Sequence, residues 1–357
     1  MTKKISFLIF VLGCWISLFA QNQYGITMKD LSFNDFLNTV NQKNVAYLSE
    51  KFNLSIVEAQ IELAKTFPDP ELALAWFDNG ERRMKLGYGF EAGMSTTLEL
   101  GRKRKARMDL AKSEAELAKH LLADFYRNLR AEASISYLVA AQNQMLLKVQ
   151  EESFEKMNKI AQSDSIRFLL GSITNIDARQ SKLEAGTMLN DFFQAEAEWK
   201  SSLSQLSFWM SEQRKDTFFV PKTELKNIEK NFVLADLITT AQNNRADLLA
   251  ATQQKDVAAK FSKLIKAYRT SDLGIGGGIS YNSYSSNVIA PTPSFTAVSA
   301  GISVPLKLSN RYKGDLMTAY YQQKQAEVDY NLVELTIQNE VVQAYFNYVS
   351  LQKQTQQ

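Results

Sequence analysis

The stretch LGYGFEAGMSTTL, residues 86–98, passes through Glu99-Leu100 into GRKRKARMDLAKSEAELAKHLLADF, residues 101–125. Its first half alternates large and small side chains, the period of a strand with two unlike faces. After Gly101 the second half holds neither glycine nor proline and is rich in strong helix formers. A two-faced strand fused to a helix too long for a compact domain is an uncommon unit. The chain carries it twice: SFTAVSAGISVPL (294–306) alternates in the same way and runs into KLSNRYKGDLMTAYYQQKQAEVDY (307–330). The repetition marks a duplicated unit.

The rest of each unit can be read outward from this seam. The first unit opens with an expected helix from Leu31 to Thr66, with Ser32 as its N-cap. Phe67-Pro68-Asp69-Pro70 ends it, because proline lacks an amide donor. A strand at Glu71–Asp78 and a turn at Asn79-Gly80 lead into the second strand. In the second unit, FVLADLITTAQNNRADLLA aligns with LSFNDFLNTVNQKNVAYLS at an offset of 201, placing Asp236 on Asp35. Beyond the strands the offset becomes 208, placing Ala319 on Ala111. The difference falls in the loop Ser283 to Pro293, where growth between hairpin strands costs little.

The strands divide their residues by chemistry. Tyr88, Phe90, Ala92, Met94, Thr96 and Leu98 share one face of the second strand, against Gly89, Glu91, Gly93, Ser95 and Thr97. LGIGGGISYN (273–282) sets Leu273, Ile275, Ile279 and Tyr281 against glycine, serine and asparagine. The fourth strand sets Val298, Ala300, Ile302, Val304 and Leu306 against Ala297, Ser299, Gly301 and Ser303. Leu72, Leu74 and Trp76 share a face of the first strand. A large face for lipid and a small face for a wide aqueous interior fit a membrane β-barrel, and segments of about ten tilted residues span a bilayer. On this reading Trp76, Tyr88, Phe90, Leu273, Ile275, Ile279, Tyr281, Val298, Ile302 and Val304 face lipid, and Glu91 and Glu99 face the lumen. Trp76, Tyr88, Tyr281 and Tyr284 lie near strand ends, where aromatic girdles sit. The competing reading is an ordinary antiparallel sheet packed against its own helices.

The helices read as coiled coil. Lys103 to Gln162 contains no proline or glycine, a length on the order of 85–90 Å. Ala111, Ala115, Ala118, Leu122, Phe125, Leu129, Ala133, Ser136 and Ala140 form its stripe, small enough for close helix approach. A break at Phe168–Thr174 precedes a second helix, Asn175 to Glu212, with Leu183, Phe192, Phe193, Trp199, Leu203 and Leu206 as its apolar positions.

The first twenty residues have the form of a secretory signal: Lys3 and Lys4, an apolar run Ile5–Phe19, then Ala20-Gln21 as the cleavage point. Val11-Leu12-Gly13-Cys14 also resembles a lipobox, although the apolar run continues past the cysteine. Cys14 is the only cysteine, so a chain cut after Ala20 has no disulfide, thiolate metal site or cysteine nucleophile. A net charge of +3 gives no argument for nucleic acid. Arg102-Lys103-Arg104-Lys105 with Arg107 reads as the solvated start of a helix near a membrane surface, and otherwise as a nucleic-acid patch. His120 stands alone in its helix, and Gly274–Gly278 lacks the lysine and helix of a phosphate loop. The ten methionines are scattered, with no pattern of a copper or silver path. No nucleophile–base pair, metal spacing or cofactor loop points to an enzyme, and no cofactor is expected.

Three features together resemble the outer membrane efflux family, the TolC-like outer membrane factors. They are the duplicated helix–strand–strand–helix order, the junction ISVPLKLSNRYKGDLMTA with its counterpart MSTTLELGRKRKARMDLA, and the turn RFLLGSITNIDARQSKLEA. The resemblance implies a mainly α fold with a β-barrel part. Four strands per chain would join a trimeric outer-membrane barrel above a long helical tunnel. It implies a signal peptide at 1–20, an N-terminal segment at 21–30, and repeats at 31–215 and 231–357, the second lacking its tip and return helix. Without that helix, Val328, Leu332, Leu335, Val342 and Tyr345 would form an unpaired stripe. The implied partners are two further copies, outer-membrane lipid, a periplasmic adaptor (membrane fusion protein) and an inner-membrane pump. Leu170, Gly171, Ser172, Ile173 and Thr174 would form the adaptor-facing turn, and Asp177 the gate at the tunnel end. The rival function is a soluble periplasmic coiled-coil adaptor or scaffold without a pore.

Overall fold

The computed structural model describes residues 27–78, 85–212, 216–222, 230–309 and 311–355. The signal segment, Cys14 and the Asn79-Gly80 turn lie outside the described residues. The chain forms two compact units, one of residues up to Leu48 with Tyr126–Ile228, the other of Ser49–Phe125 with Glu229–Gln357.

In the first unit, β1 (Thr27–Leu31) leads into α1 (Phe33–Lys43). Ser32 caps α1 as expected, its hydroxyl accepting from the Asp35 amide at 3.1 Å. The expected single helix to Thr66 is two. α1 stops at Asn44, and α2 (Val45–Ala64) starts again at once. The cause is a side chain that competes with the helix. Asn44 is buried, donates through Nδ2 to the Trp209 carbonyl at 3.0 Å, and accepts from the Tyr47 amide at 3.0 Å. α3 (Lys103–Leu169) enters this unit at Tyr126 and returns as α4 (Asn175–Trp209). Their buried positions are mostly small: Ala133, Ala140, Ala141 and Ala161 on α3, Ala178, Ser181, Ala185 and Ala195 on α4. Leu203 and Leu206 are buried as expected, whereas Leu183 and Phe193 are exposed. Alanine wins the seam because it lets the helix backbones approach.

Residues 27–31 pair in parallel with β4 (Thr217–Pro221), from Thr27↔Thr217 to Leu31↔Pro221. Neither segment was expected as a strand, and Leu31, expected to begin the helix, ends β1 instead. Tyr137 locks this pair to the helices: its hydroxyl donates to the Leu31 carbonyl at 2.8 Å, and its ring meets Phe33 and Phe36.

The second unit is built on a four-stranded antiparallel sheet in the order β2 (Glu71–Asp78), β3 (Tyr88–Leu98), β5 (Leu273–Asn282), β6 (Phe295–Ser303). The four expected strands are all present, though β6 ends at Ser303, two residues short of Pro305. The two repeats meet at the β3–β5 pairing, from Gly89↔Asn282 to Leu98↔Leu273. Helices α5 (Leu234–Asn244), α6 (Ala246–Tyr268) and α7 (Lys313–Thr355) complete the unit. The break between α5 and α6 falls at Arg245, the residue that the 201 offset places on Asn44. Here an ion-pair cluster holds it: Arg245 bonds Asp247 at 2.6 Å and Glu340 at 2.6 Å. Ala111 and Ala319, matched by the 208 offset, are both buried.

Candidate membrane sheet, junction and helical tip

Cross-strand partners in an antiparallel sheet share a face, so the register decides whether the large residues gather. They do. One row runs Trp76, Phe90, Tyr281, Thr296, and the next runs Leu74, Ala92, Ile279, Val298. Thr96, Ile275 and Ile302 form a further row, and Leu98 and Leu273 the last. Tyr88 stands opposite Asp78 at the far end, which places the aromatic residues together at one end of the large face. The opposite face carries Ala73, Gly93, Gly278 and Ser299 in one row, and Ala75, Glu91, Ser280 and Ala297 in another. Gly278 sits tightly there: a Cβ would stand 3.0 Å from the Ala92 carbonyl oxygen.

The large face is exposed among the described residues. Leu72 is 70% exposed, Trp76 67%, Ile279 56%, Val298 80% and Ile302 72%. Phe90, Met94, Ile275 and Tyr281 are also exposed, and Leu273 is half-buried. Burying one such side chain is worth about 1.5–3 kcal/mol. Leaving this many in water forgoes as much free energy as holds a whole domain together. The edge strands β2 and β6 also keep one side of their backbone unpaired within the sheet.

At the helix end of the sheet, ion pairs and hydrogen bonds tie the connecting turns together. Lys103 is buried, and its Nζ sits 2.6 Å from Asp272 Oδ2. The Leu100 amide donates to the same carboxylate at 3.1 Å. Burial pushes the Asp272 carboxyl up, but these donors and the charges of Lys103 and Lys307 outweigh it and hold the group below its ordinary value. Arg107 grips Glu99 through both guanidinium nitrogens and donates to the Thr66 carbonyl at 3.0 Å. Arg104 donates to the Lys65 carbonyl at 2.6 Å and lies over the Phe67 ring. Lys307 donates to the Tyr268 and Thr270 carbonyls, and Ser271 to the Pro305 carbonyl at 2.8 Å. The expectation of a wholly solvated basic run is thereby corrected. Lys103, Arg104 and Arg107 are structural, while Arg102 and Lys105 remain exposed. Glu99 lies beyond β3 and is spent on Arg107, whereas Glu91 stands exposed on the small face.

At the helical tip, Gly171 adopts φ +72°. Its amide donates to the Phe168 carbonyl at 2.9 Å, and that of Ser172 to the Arg167 carbonyl at 2.8 Å, the paired bonds of a Schellman stop. Thr174 then caps α4 in a capping box with Asp177: the Asp177 amide donates to the Thr174 hydroxyl, and the Asp177 carboxylate accepts from the Thr174 amide at 3.2 Å and hydroxyl at 2.7 Å. These bonds hold the Asp177 carboxyl below its ordinary value. A fully bonded turn thus presents apolar side chains outward. Leu169, Leu170 and Ile176 are each at least three-quarters exposed, while Ile173 is half-buried. Leu169 and Ile176 were not singled out from the sequence as tip residues, although the first lies in the break and the second just after it. No helix among the described residues is long and apolar enough to cross a membrane.

Comparison with known proteins agrees with this architecture. Residues 237–357 match the family model of the outer membrane efflux protein. The chain is 23% identical over 286 residues to the cobalt-zinc-cadmium resistance protein CzcC of Cupriavidus metallidurans, covering 79% of this chain and 65% of that protein. The chain therefore spans just under two thirds of the length of that relative. The outer-membrane channel OprN superposes with a TM-score of 0.72 at 15% identity, covering 90% of this chain and 75% of OprN. The CmeC outer membrane channel of Campylobacter jejuni gives 0.67 at 11% identity, with 85% and 67% covered. With its duplicated unit, its two-faced sheet and its long antiparallel helices, the chain has the fold of these outer-membrane channels, and its residues 237–357 match the outer membrane efflux protein family.

Proposed function

We propose that the protein is the outer-membrane conduit of a tripartite efflux or type I secretion-like system. The observation that carries this is the uncovered large face of the four-stranded sheet. Hydrocarbon satisfies that face, but it leaves open strand edges unpaired at several kcal/mol per group. Four strands are too few to close on themselves, since membrane barrels start at about eight. Three copies pairing β6 with the next β2 make a closed twelve-stranded barrel, as the family resemblance implies. The small face then lines a wide passive pore with Glu91 in its wall. Control lies at the helical tip, where Asp177 side chains brought together in a ring repel one another and attract cations.

The tip docks a periplasmic adaptor of an inner-membrane pump through Leu170, Gly171, Ser172, Ile173 and Thr174, with Leu169 and Ile176 enlarging the apolar surface. Expression in a Gram-negative host tests the conduit. The expected result is a heat-modifiable trimer that needs detergent for extraction and carries current in planar bilayers. Recovery in the aqueous fraction without pore current supports the soluble scaffold instead. Gly171→Trp tests the tip. Nothing lies within 4 Å of a Cβ at Gly171, so the only cost of a side chain there is its positive φ, about 1–2 kcal/mol in the turn; the variant still forms trimers but loses adaptor docking. Normal efflux in that variant removes the tip from the docking surface.

A further inference from the structure

The turns at the helix end of the sheet converge. A Cβ on Gly101 would stand 2.6 Å from the Thr270 side chain, and the rings of Tyr268 and Tyr312 stack at 6.2 Å. Arg102, Arg269 and Arg311 each adjoin one of these contact residues in the chain. Segments 65–70, 99–109, 266–272 and 305–315 together hold eleven lysines and arginines against five carboxylates, whereas the whole chain holds 41 against 38. Strands β2, β3, β5 and β6 hold no lysine or arginine at all.

Some of this charge is used internally, by the Lys103–Asp272 and Arg107–Glu99 pairs. Arg102, Lys105, Arg269, Arg311 and Lys313 are exposed and form no ion pair with a carboxylate among the described residues. Helix stability does not account for them. The first turn of α3 holds Lys103, Arg104 and Lys105 and no acid, against the positive end of the helix dipole. The belt borders the large face directly, since Leu98 and Leu273 are paired and Arg102 and Arg269 follow and precede them by four residues.

We infer that this belt seats the headgroups of anionic phospholipid in the leaflet beside the helices. The inference depends on the barrel reading above, because only a sheet in hydrocarbon brings its end to the headgroup level. Arginine forks match phosphodiester oxygens in pairs, and the lysines add point charge. Each cation at such a surface is worth roughly a fivefold change in lipid affinity.

The test titrates the detergent-purified full chain with short-chain phosphatidylglycerol, short-chain phosphatidylcholine or inorganic phosphate, following thermal unfolding. Phosphatidylglycerol alone raises the unfolding midpoint. The triple variant Arg102→Gln, Lys105→Gln, Arg311→Gln keeps the lipid-free midpoint but needs on the order of 100-fold more phosphatidylglycerol. If the triple variant does not fold, Arg269→Gln with Lys313→Gln serves, with a shift of roughly 25-fold. An equal response to phosphatidylcholine, an equal effect of free phosphate, or an unaltered titration in the variants overturns the proposal. Heat-modifiable mobility in phosphatidylcholine vesicles is read in parallel. A chain that inserts there yet ignores phosphatidylglycerol defeats only the headgroup site, whereas a chain that never inserts defeats the barrel as well.

Discussion

Lys103 looks like one of four cations in a row, and the structure gives it a separate role. Its ammonium is buried against Asp272, a residue 169 positions away in the other repeat. Removing the partner strands a buried charge, so Asp272→Ala destabilises the protein by about 3 kcal/mol, read as a drop in the thermal unfolding midpoint. The Asp272 carboxyl titrates below its ordinary value of 3.8 in the folded chain. Its contribution is therefore complete above that value and is lost as pH falls through the lower folded one. The midpoint falls on acidification below about pH 4, and Asp272→Asn flattens that dependence. None of this was legible in the sequence, because a run of like charges carries no record of which member meets a distant carboxylate. Asp177 is a milder case. Its place beside the tip came from the family resemblance, and the capping box is what its Thr-x-x-Asp spacing builds.

At the level of elements, the strands were the most legible part. Alternation over eight to eleven residues leaves one choice of period, and β5 begins and ends where its pattern does. Among the β5 glycines, Gly278 has the closest backbone neighbour, the Ala92 carbonyl oxygen. Gly278→Val forces β3 and β5 apart, so trimers are lost on heat-modifiable electrophoresis while helical circular dichroism persists. The helix break at Asn44 was missed because apolar periodicity runs straight through it. Only the buried amide, bonded on both sides, interrupts the helix. Asn44→Ala removes both bonds and costs about 1–2 kcal/mol in chemical unfolding. The β1–β4 pair was missed for another reason: five-residue parallel partners separated by nearly the whole first repeat leave no local signal.

For the molecule as a whole, what decides the account is where its large side chains go. The long helices bury alanine seams of their own, yet the sheet turns leucine, isoleucine, valine and aromatic side chains outward in register. That pattern was visible in the sequence as period two. Its outward direction became visible only when the rows aligned and their side chains lay exposed. Cysteine accessibility along β5 tests this most directly, and Cys14 is the single native cysteine. In outer membranes, Ser280→Cys and Gly276→Cys react with a water-soluble thiol reagent, while Ile279→Cys and Ile275→Cys react only with a lipid-soluble one. Uniform labelling of all four positions by the aqueous reagent would contradict the lipid-facing sheet.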